Sequence, residues 1–441
     1  MVKLKISKRV SHALINSLGA GVVPRVGLEH IAVGREQEVA ALLQDLENIA
    51  EGGGAFRFIV GRYGSGKSFM LQLIRNHAME RGFVVADADL SPERRLAGAD
   101  SQGVATYREL MRNMATKTHP SGGAMALILE RWISSLQTQV AQNTGIRPHD
   151  SGFDDQVESK ILAEVKEIEG LVHGFAFATV VTTYWRGYRL DDNDKKGAAL
   201  RWLRGEFTTK TEANSALGVR DIIDDDSWYD YVKLFAKFVS DIGYKGLIVI
   251  FDEAVHLYKI NHSVSRQHNY DKLLAMFNDT MQGRAEHLGI CVGGTPRFLE
   301  DPKRGLFNDR AWQRRTAKSR FSKDLIDTSG PVIQLEALTS LEIFSLLQRL
   351  ADVHAAHFGY EQTVTDHQFN EFVQEVENRL GAEALLTPGE IVRDFISILN
   401  ILQQNPSTSF NELLHGANFS LTAMTKNDDS DGNGEVAEFT V

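Results

Sequence analysis

Apolar positions fall in two rhythms along this chain. Five short runs, 56–60, 83–88, 247–251, 288–293 and 331–335, are apolar almost throughout and are bounded by glycine, proline or acidic residues. Runs of that length predict β-strands. Elsewhere apolar residues return every three or four positions. That period predicts amphipathic helices over 5–18, 36–49, 69–80, 107–114, 124–140, 156–171 and 229–242, and after the last strand over 340–357, 366–380 and 388–403. Strands alternating with helices predict an α/β fold with a mainly parallel sheet. The run 247–251, apolar at every position, suits a strand covered on both faces at the centre of such a sheet. The stretch 100–240 shows helical patterns only. It is longer than the connection between two neighbouring strands needs, and predicts an α-helical insertion.

The first strand runs into Gly61-Arg62-Tyr63-Gly64-Ser65-Gly66-Lys67-Ser68-Phe69. This is the phosphate-binding loop pattern G-x-x-x-x-G-K-[ST], in the strand–loop–helix setting that its chemistry needs. Glycines let the backbone turn tightly and aim its N–H groups inward. The following helix adds the positive end of its dipole. Lys67 is expected to reach the β- and γ-phosphates of ATP, and the Ser68 hydroxyl to hold Mg²⁺. The strand 247–251 ends in Asp252-Glu253, a Walker B pattern. Asp252 is expected to hold Mg²⁺ through water and Glu253 to polarise the attacking water, the difference between a hydrolase and a passive binder. The run continues Ala254-Val255-His256, so the D-E-A-H sequence of helicases is absent. Asp87 and Asp89 end the second strand, where they help to place the metal or cap the next turn.

Composition narrows the picture only a little. The chain has 441 residues, 43% hydrophobic and 24% charged, as in ordinary globular protein. Its apolar runs are too short to cross a bilayer, and its single cysteine, Cys291, excludes an internal disulfide. A cytoplasmic location is expected. The net charge of −10 argues against nucleic acid until it is partitioned. The segment after Lys426 is acidic and glycine-rich and is expected to be disordered. Residues 303–323 instead hold eight Lys or Arg against one acid, Asp309. That basic segment is either a surface for double-stranded DNA or a solvated face, and the same choice applies to Lys195, Lys196, Arg201, Arg204 and Lys210 in the insertion.

Several other residues are similar to those of AAA+ ATPases of the initiator and clamp-loader kind. Val33-Gly34-Arg35-Glu36 resembles their G-R-E-x-E element, which implies adenine contact through the backbone at Val33 and Gly34. Thr295, closing the fourth strand, stands where those proteins place the polar residue that touches the γ-phosphate or the attacking water. Ser319-Arg320 resembles the element whose arginine reaches a neighbouring subunit's ATP, with Arg310 and Arg315 as alternatives. Arg393 stands on a helix where AAA+ lids place an arginine over the γ-phosphate. Four stretches go further: Gly21-Val22-Val23-Pro24, Val33-Gly34-Arg35-Glu36, Leu90-Ser91-Pro92-Glu93-Arg94-Arg95-Leu96 and Thr387-Pro388-Gly389-Glu390-Ile391-Val392-Arg393-Asp394-Phe395. They resemble the BrxD family of ATP-binding proteins of bacterial BREX phage defence. The resemblance implies an AAA+ P-loop ATPase that uses ATP and Mg²⁺ and works with other BREX-type proteins. Arg320, placed for a neighbour's site, points to a homo-oligomer; the large insertion and acidic tail suit the alternative, a monomeric switch. The expected organisation is an N-terminal helix and first half of the core (1–99), the insertion (100–240), the second half of the core (241–336), a C-terminal helical lid (337–420) and the acidic tail (421–441).

Overall fold

A computed structural model describes residues 5–317, 328–380 and 387–415. The acidic tail lies outside them. Two compact units form: Arg35–Glu336, and the residues through Gly34 together with those from Ala337 onward.

The larger unit is built on five parallel strands: β1 (Gly54–Val60), β2 (Val84–Asp89), β3 (Leu247–Asp252), β4 (Leu288–Gly294) and β5 (Val332–Gln334). They lie in the order β2-β3-β4-β1-β5. Alternation of side chains sends Phe56 and Phe58 of β1, with Val249 and Phe251 of β3, to one face. Ala55 and Ile59, with Ile248 and Ile250, go to the other. Helices α2 (Glu36–Ala50) and α3 (Lys67–Glu80) cover the second face, through Leu42, Leu46, Met70 and Ile74. Both faces are covered, which is why the strands read as nearly continuous apolar runs.

The first face carries the 100–240 stretch. It forms seven helices: α4 (Gln102–Asn113), α5 (Met125–Thr144), α6 (Phe153–Glu169), α7 (Gly174–Arg189), α8 (Asn193–Leu203), α9 (Lys210–Leu217) and α10 (Trp228–Asp241). Their core is continuous with the sheet: Trp228 is fully buried, lies edge-on to Phe251 and donates from Nε1 to the Leu96 carbonyl at 3.2 Å. Helix α7 escapes the apolar-period reading. Its Thr179-Val180-Val181-Thr182-Thr183 run and two glycines have poor helix propensity, and burial of Phe177, Val180, Val181, Tyr184 and Trp185 overrides it. The unit continues through α11 (Val255–Tyr258), α12 (Ser263–Met281), α13 (Pro296–Glu300) and α14 (Arg310–Thr316).

In the smaller unit α1 (Lys8–Gly19) packs with α15 (Ser340–Phe358) and α17 (Pro388–Gln404), alongside α16 (Asp366–Leu380) and α18 (Phe410–His415). The first helix therefore sits with the C-terminal helices, whereas its sequence position groups it with the core strands. Helix α17 starts as its sequence predicts, with a reciprocal capping box between Thr387 and Glu390. Ser11 of α1 bonds His357 Nδ1 at 2.9 Å, and fully buried His354 lies between the Tyr360 hydroxyl (2.8 Å) and Asn400 Oδ1 (3.1 Å). Burial holds both imidazoles below their usual range, and neighbouring His12 and Lys8 add to this at His357. A histidine whose folded pKa is depressed stabilises the fold above its unfolded value, about 6.5, and that contribution is lost as pH falls below it. Thermal unfolding is therefore expected to move to lower temperature between pH 7.5 and 5, and His354→Gln to flatten that dependence.

Among the described residues no helix is long and apolar enough to cross a membrane.

Candidate functional site

The phosphate loop leaves β1 at the carboxyl edge of the sheet. Gly61 N–H bonds the Gly294 carbonyl at 3.2 Å, fixing the loop's start to the end of β4. Gly64 and Gly66 have φ of +74° and +93°, conformations that side chains rarely adopt, and the space beside Gly66 is open. Helix α3 begins at Lys67 and its first N–H groups face the loop. Ser65 is buried and its hydroxyl has no hydrogen-bond partner. Arg62 and Tyr63 are exposed at the loop's tip, and Phe69 is half-buried in the first turn of α3.

Lys67 donates from Nζ to the Arg62 carbonyl at 2.9 Å. Burial lowers its pKa, opposed by the nearby Asp252 and Glu253 carboxylates. Ser68 Oγ donates to Asp252 Oδ2 at 2.6 Å, and the Glu253 N–H donates to Asp252 Oδ1 at 2.8 Å. The two residues expected to hold Mg²⁺ are thus in contact across 184 positions of sequence. A hydroxyl beside a carboxylate is an oxygen donor set suited to a hard divalent cation. Gly293 of β4 makes room for this carboxylate, since a side chain there would meet Asp252 Oδ1 and Leu71.

Glu253 has φ +57°, a left-handed conformation unusual for a side-chain-bearing residue. Such strain costs on the order of 1–3 kcal/mol and collects at functional sites. The residue is solvent-accessible, yet enough protein crowds its carboxyl to raise the pKa. Asp252 raises it further, and Lys67 and His256 oppose the shift. Asp89 lies in register with Asp252 on the neighbouring strand, and burial and then Asp252 raise its pKa. Asp87 is instead held by the buried Arg75 at 2.8 Å, a structural ion pair that takes it away from any metal.

Thr295 closes β4, the strand between β1 and β3, and accepts the Phe298 N–H at 3.3 Å as the cap of α13. Capping uses an oxygen lone pair and leaves the hydroxyl proton to donate. Arg320 lies outside the described residues. Both flanks of its segment are anchored to β1. Trp312 packs edge-on to Phe58, while Arg57 forks onto Asp45 (2.6 and 2.8 Å) and donates to the Thr328 (2.8 Å) and Gly330 carbonyls. Of the alternatives, Arg315 is engaged by Asn278 and the Ala311 carbonyl, while Arg310 is exposed.

Val33, Gly34 and Arg393 belong to the smaller unit. Gly34 has φ +66° and the Glu342 side chain fills the space where a Cβ would stand. The Arg349 guanidinium donates to the neighbouring Ala32 carbonyl. Arg393 lies 3.9 Å from Asp394, with one buried guanidinium nitrogen lacking a hydrogen-bond partner. In the insertion, Lys195, Lys196 and Arg201 pair with Asp192, Asp191 and Glu212 at 3.2, 3.5 and 3.0 Å, the pattern of a solvated face.

The profile of the BREX system ATP-binding protein BrxC/D family matches residues 6–418. The chain belongs to that family. Family membership makes it an ATP-binding protein of the BREX system, and the loop fits the ligand: the open position at Gly66, helix N–H groups, an unengaged buried serine hydroxyl and a lysine amine converge there. No curated protein is similar enough to be matched with this BrxC/D member.

One residue of the site goes beyond its sequence reading. Arg35 was expected only as part of an adenine-binding element, but its side chain is 10% exposed and its guanidinium touches the phosphate loop at the Ser65 carbonyl.

Proposed function

We propose that this BrxC/D protein is an AAA+ ATPase that hydrolyses ATP with Mg²⁺ in bacterial anti-phage defence. The observation that carries the reading is the Ser68–Asp252 contact with Glu253 beside it in a strained backbone. One strand, β4, separates the loop strand from the acid strand. That order brings the ends of both strands to the same carboxyl edge of the sheet.

In this account the Lys67 amine exchanges the Arg62 carbonyl for β- and γ-phosphate oxygens. Ser68 and Asp252 would hold Mg²⁺, which supplies positive charge to the phosphate oxygens when bound. Glu253 accepts the proton of the attacking water, and the Thr295 hydroxyl donates to the water or the γ-phosphate. Val33 and Gly34 meet the adenine. Arg393 acts within the same subunit and Arg320 on the ATP of a neighbour in a homo-oligomer. The work is done on DNA or on a complex of other BREX-type proteins. The exposed Arg310 and Arg314 favour duplex DNA at the basic segment over the ion-paired insertion.

Metal removal tests the core of this reading. Phosphate release is expected to stop with EDTA, return with Mg²⁺, and stay at least about tenfold lower in Ser68→Ala, the loss of one charge-assisted oxygen contact. Turnover that ignores both changes would contradict it.

A second reading is a monomeric switch whose ATP state controls docking. It is favoured by the turn between α6 and α7 and the start of α7, where Leu171, Val172 and Phe175 are exposed. Under that reading Arg320→Ala leaves turnover intact and weakens partner capture.

A further inference from the structure

The chain enters its larger unit at Arg35 and leaves it at Glu336. One side chain joins those two ends. Arg35 donates from one terminal nitrogen to the Glu336 carbonyl at 2.6 Å, and the same nitrogen lies 3.4 Å from the Ser65 carbonyl in the phosphate loop. The other terminal nitrogen faces Glu38 at 3.4 Å. The short bond is strong and the long one weak, so the guanidinium is engaged by the exit segment and only grazes the loop. Ser65 is also the loop residue with a buried, unpartnered hydroxyl, and its N–H turns back on the Arg62 carbonyl at 3.2 Å. A phosphate bound at the Ser65 hydroxyl or N–H acts on the same residue whose carbonyl Arg35 touches. Val60, the residue before the loop, already accepts the Leu335 N–H at 2.7 Å. Loop and exit segment are therefore neighbours at two points, one fixed backbone bond and one adjustable side chain.

We propose that Arg35 is a positioning residue that couples occupation of the phosphate loop to the segment leaving β5. It acts through the Ser65 and Glu336 carbonyls and does not touch ATP. Arginine suits this role because each terminal nitrogen carries two N–H donors held in the guanidinium plane, so one rigid nitrogen can address both carbonyls. A lysine ammonium in its place is a point donor without that rigid plane. The proposal rests on ATP binding in the phosphate loop, so its test reads the loop and the exit segment separately.

The experiment is hydrogen exchange on the full chain, with and without ATP and Mg²⁺, following peptides over 61–66 and 335–340. All samples carry Glu253→Gln so that ATP persists. With Arg35 present, ATP is expected to slow exchange in both peptides, by roughly tenfold at 335–340, the scale of one charge-assisted hydrogen bond. In Arg35→Ala the loop still slows while 335–340 no longer responds. Arg35→Lys retains the charge and is expected to lose most of the response at 335–340, so it serves if the alanine variant does not fold. Glu38→Ala removes the flanking carboxylate and is expected to keep both responses. An unchanged ATP response at 335–340 in the Arg35 variants overturns the coupling. Slowing confined to the loop when Arg35 is present overturns it too, and leaves ATP binding standing. No slowing in either peptide overturns ATP binding at this loop along with the coupling.

Discussion

Glu253→Gln is expected to leave ATP bound and to lower its turnover about 10²- to 10⁴-fold, the range for loss of a positioned general base. Glutamine keeps the size of the side chain and removes only the proton acceptor. Lys67, proposed to meet the phosphates, and Ser68, proposed to hold Mg²⁺, keep their positions, as does Asp252, which Ser68 and the residue-253 N–H hold at both oxygens. The fold is expected to tolerate the change. Crowding and Asp252 raise the Glu253 pKa, so its ionised form is disfavoured in the folded chain and the neutral amide is not. Stability at neutral pH should therefore be equal to or above that of the unaltered chain. The same shift predicts that turnover of the unaltered chain falls on acidification at a pH above the ordinary glutamate value of about 4.3. Phosphate release, measured beside the binding of a fluorescent ATP analogue, separates the two effects. Equal loss of binding and turnover would assign Glu253 to holding the nucleotide.

Arg320→Ala is expected to lower turnover by about 10³- to 10⁵-fold in the assembled protein, the worth of an arginine supplied in trans to phosphoryl transfer. ATP binding in the mutated subunit's own loop should persist. A mixing experiment makes the assignment specific. Glu253→Gln subunits retain the arginine, and Arg320→Ala subunits retain the base. Mixed, they are expected to recover part of the turnover that each lacks alone. Turnover in Arg320→Ala equal to that of the unaltered chain, with no gain on mixing, would favour the monomeric switch.

The parts of the site legible in the sequence are those where chemistry and neighbours are contiguous. The phosphate loop carries its glycines, lysine and serine within eight residues, and Asp252 and Glu253 follow a strand apolar at every position. What the sequence hides are partners brought together by the fold. Asp87 reads as an acid that places metal or caps a turn until Arg75 of α3 is seen against it. Arg35 meets carbonyls 30 and 301 positions away, and backbone carbonyls leave no mark in composition or spacing. The room that Gly293 makes for Asp252 depends on the register of β3 and β4. In the fold, the strands were legible because both faces of the sheet are covered. Helix α7 was not, because burial of its aromatic and β-branched residues outweighs a local preference against helix. The partnership of α1 with α15 and α17 is a contact between opposite ends of the chain, which periodicity within α1 does not disclose.

The most direct test of the account is ATP turnover per subunit against protein concentration in the presence of Mg²⁺, with Glu253→Gln as the blank. The account predicts turnover that stands above the blank and climbs with concentration, as sites are completed between subunits. Turnover that coincides with the blank at every concentration would contradict it.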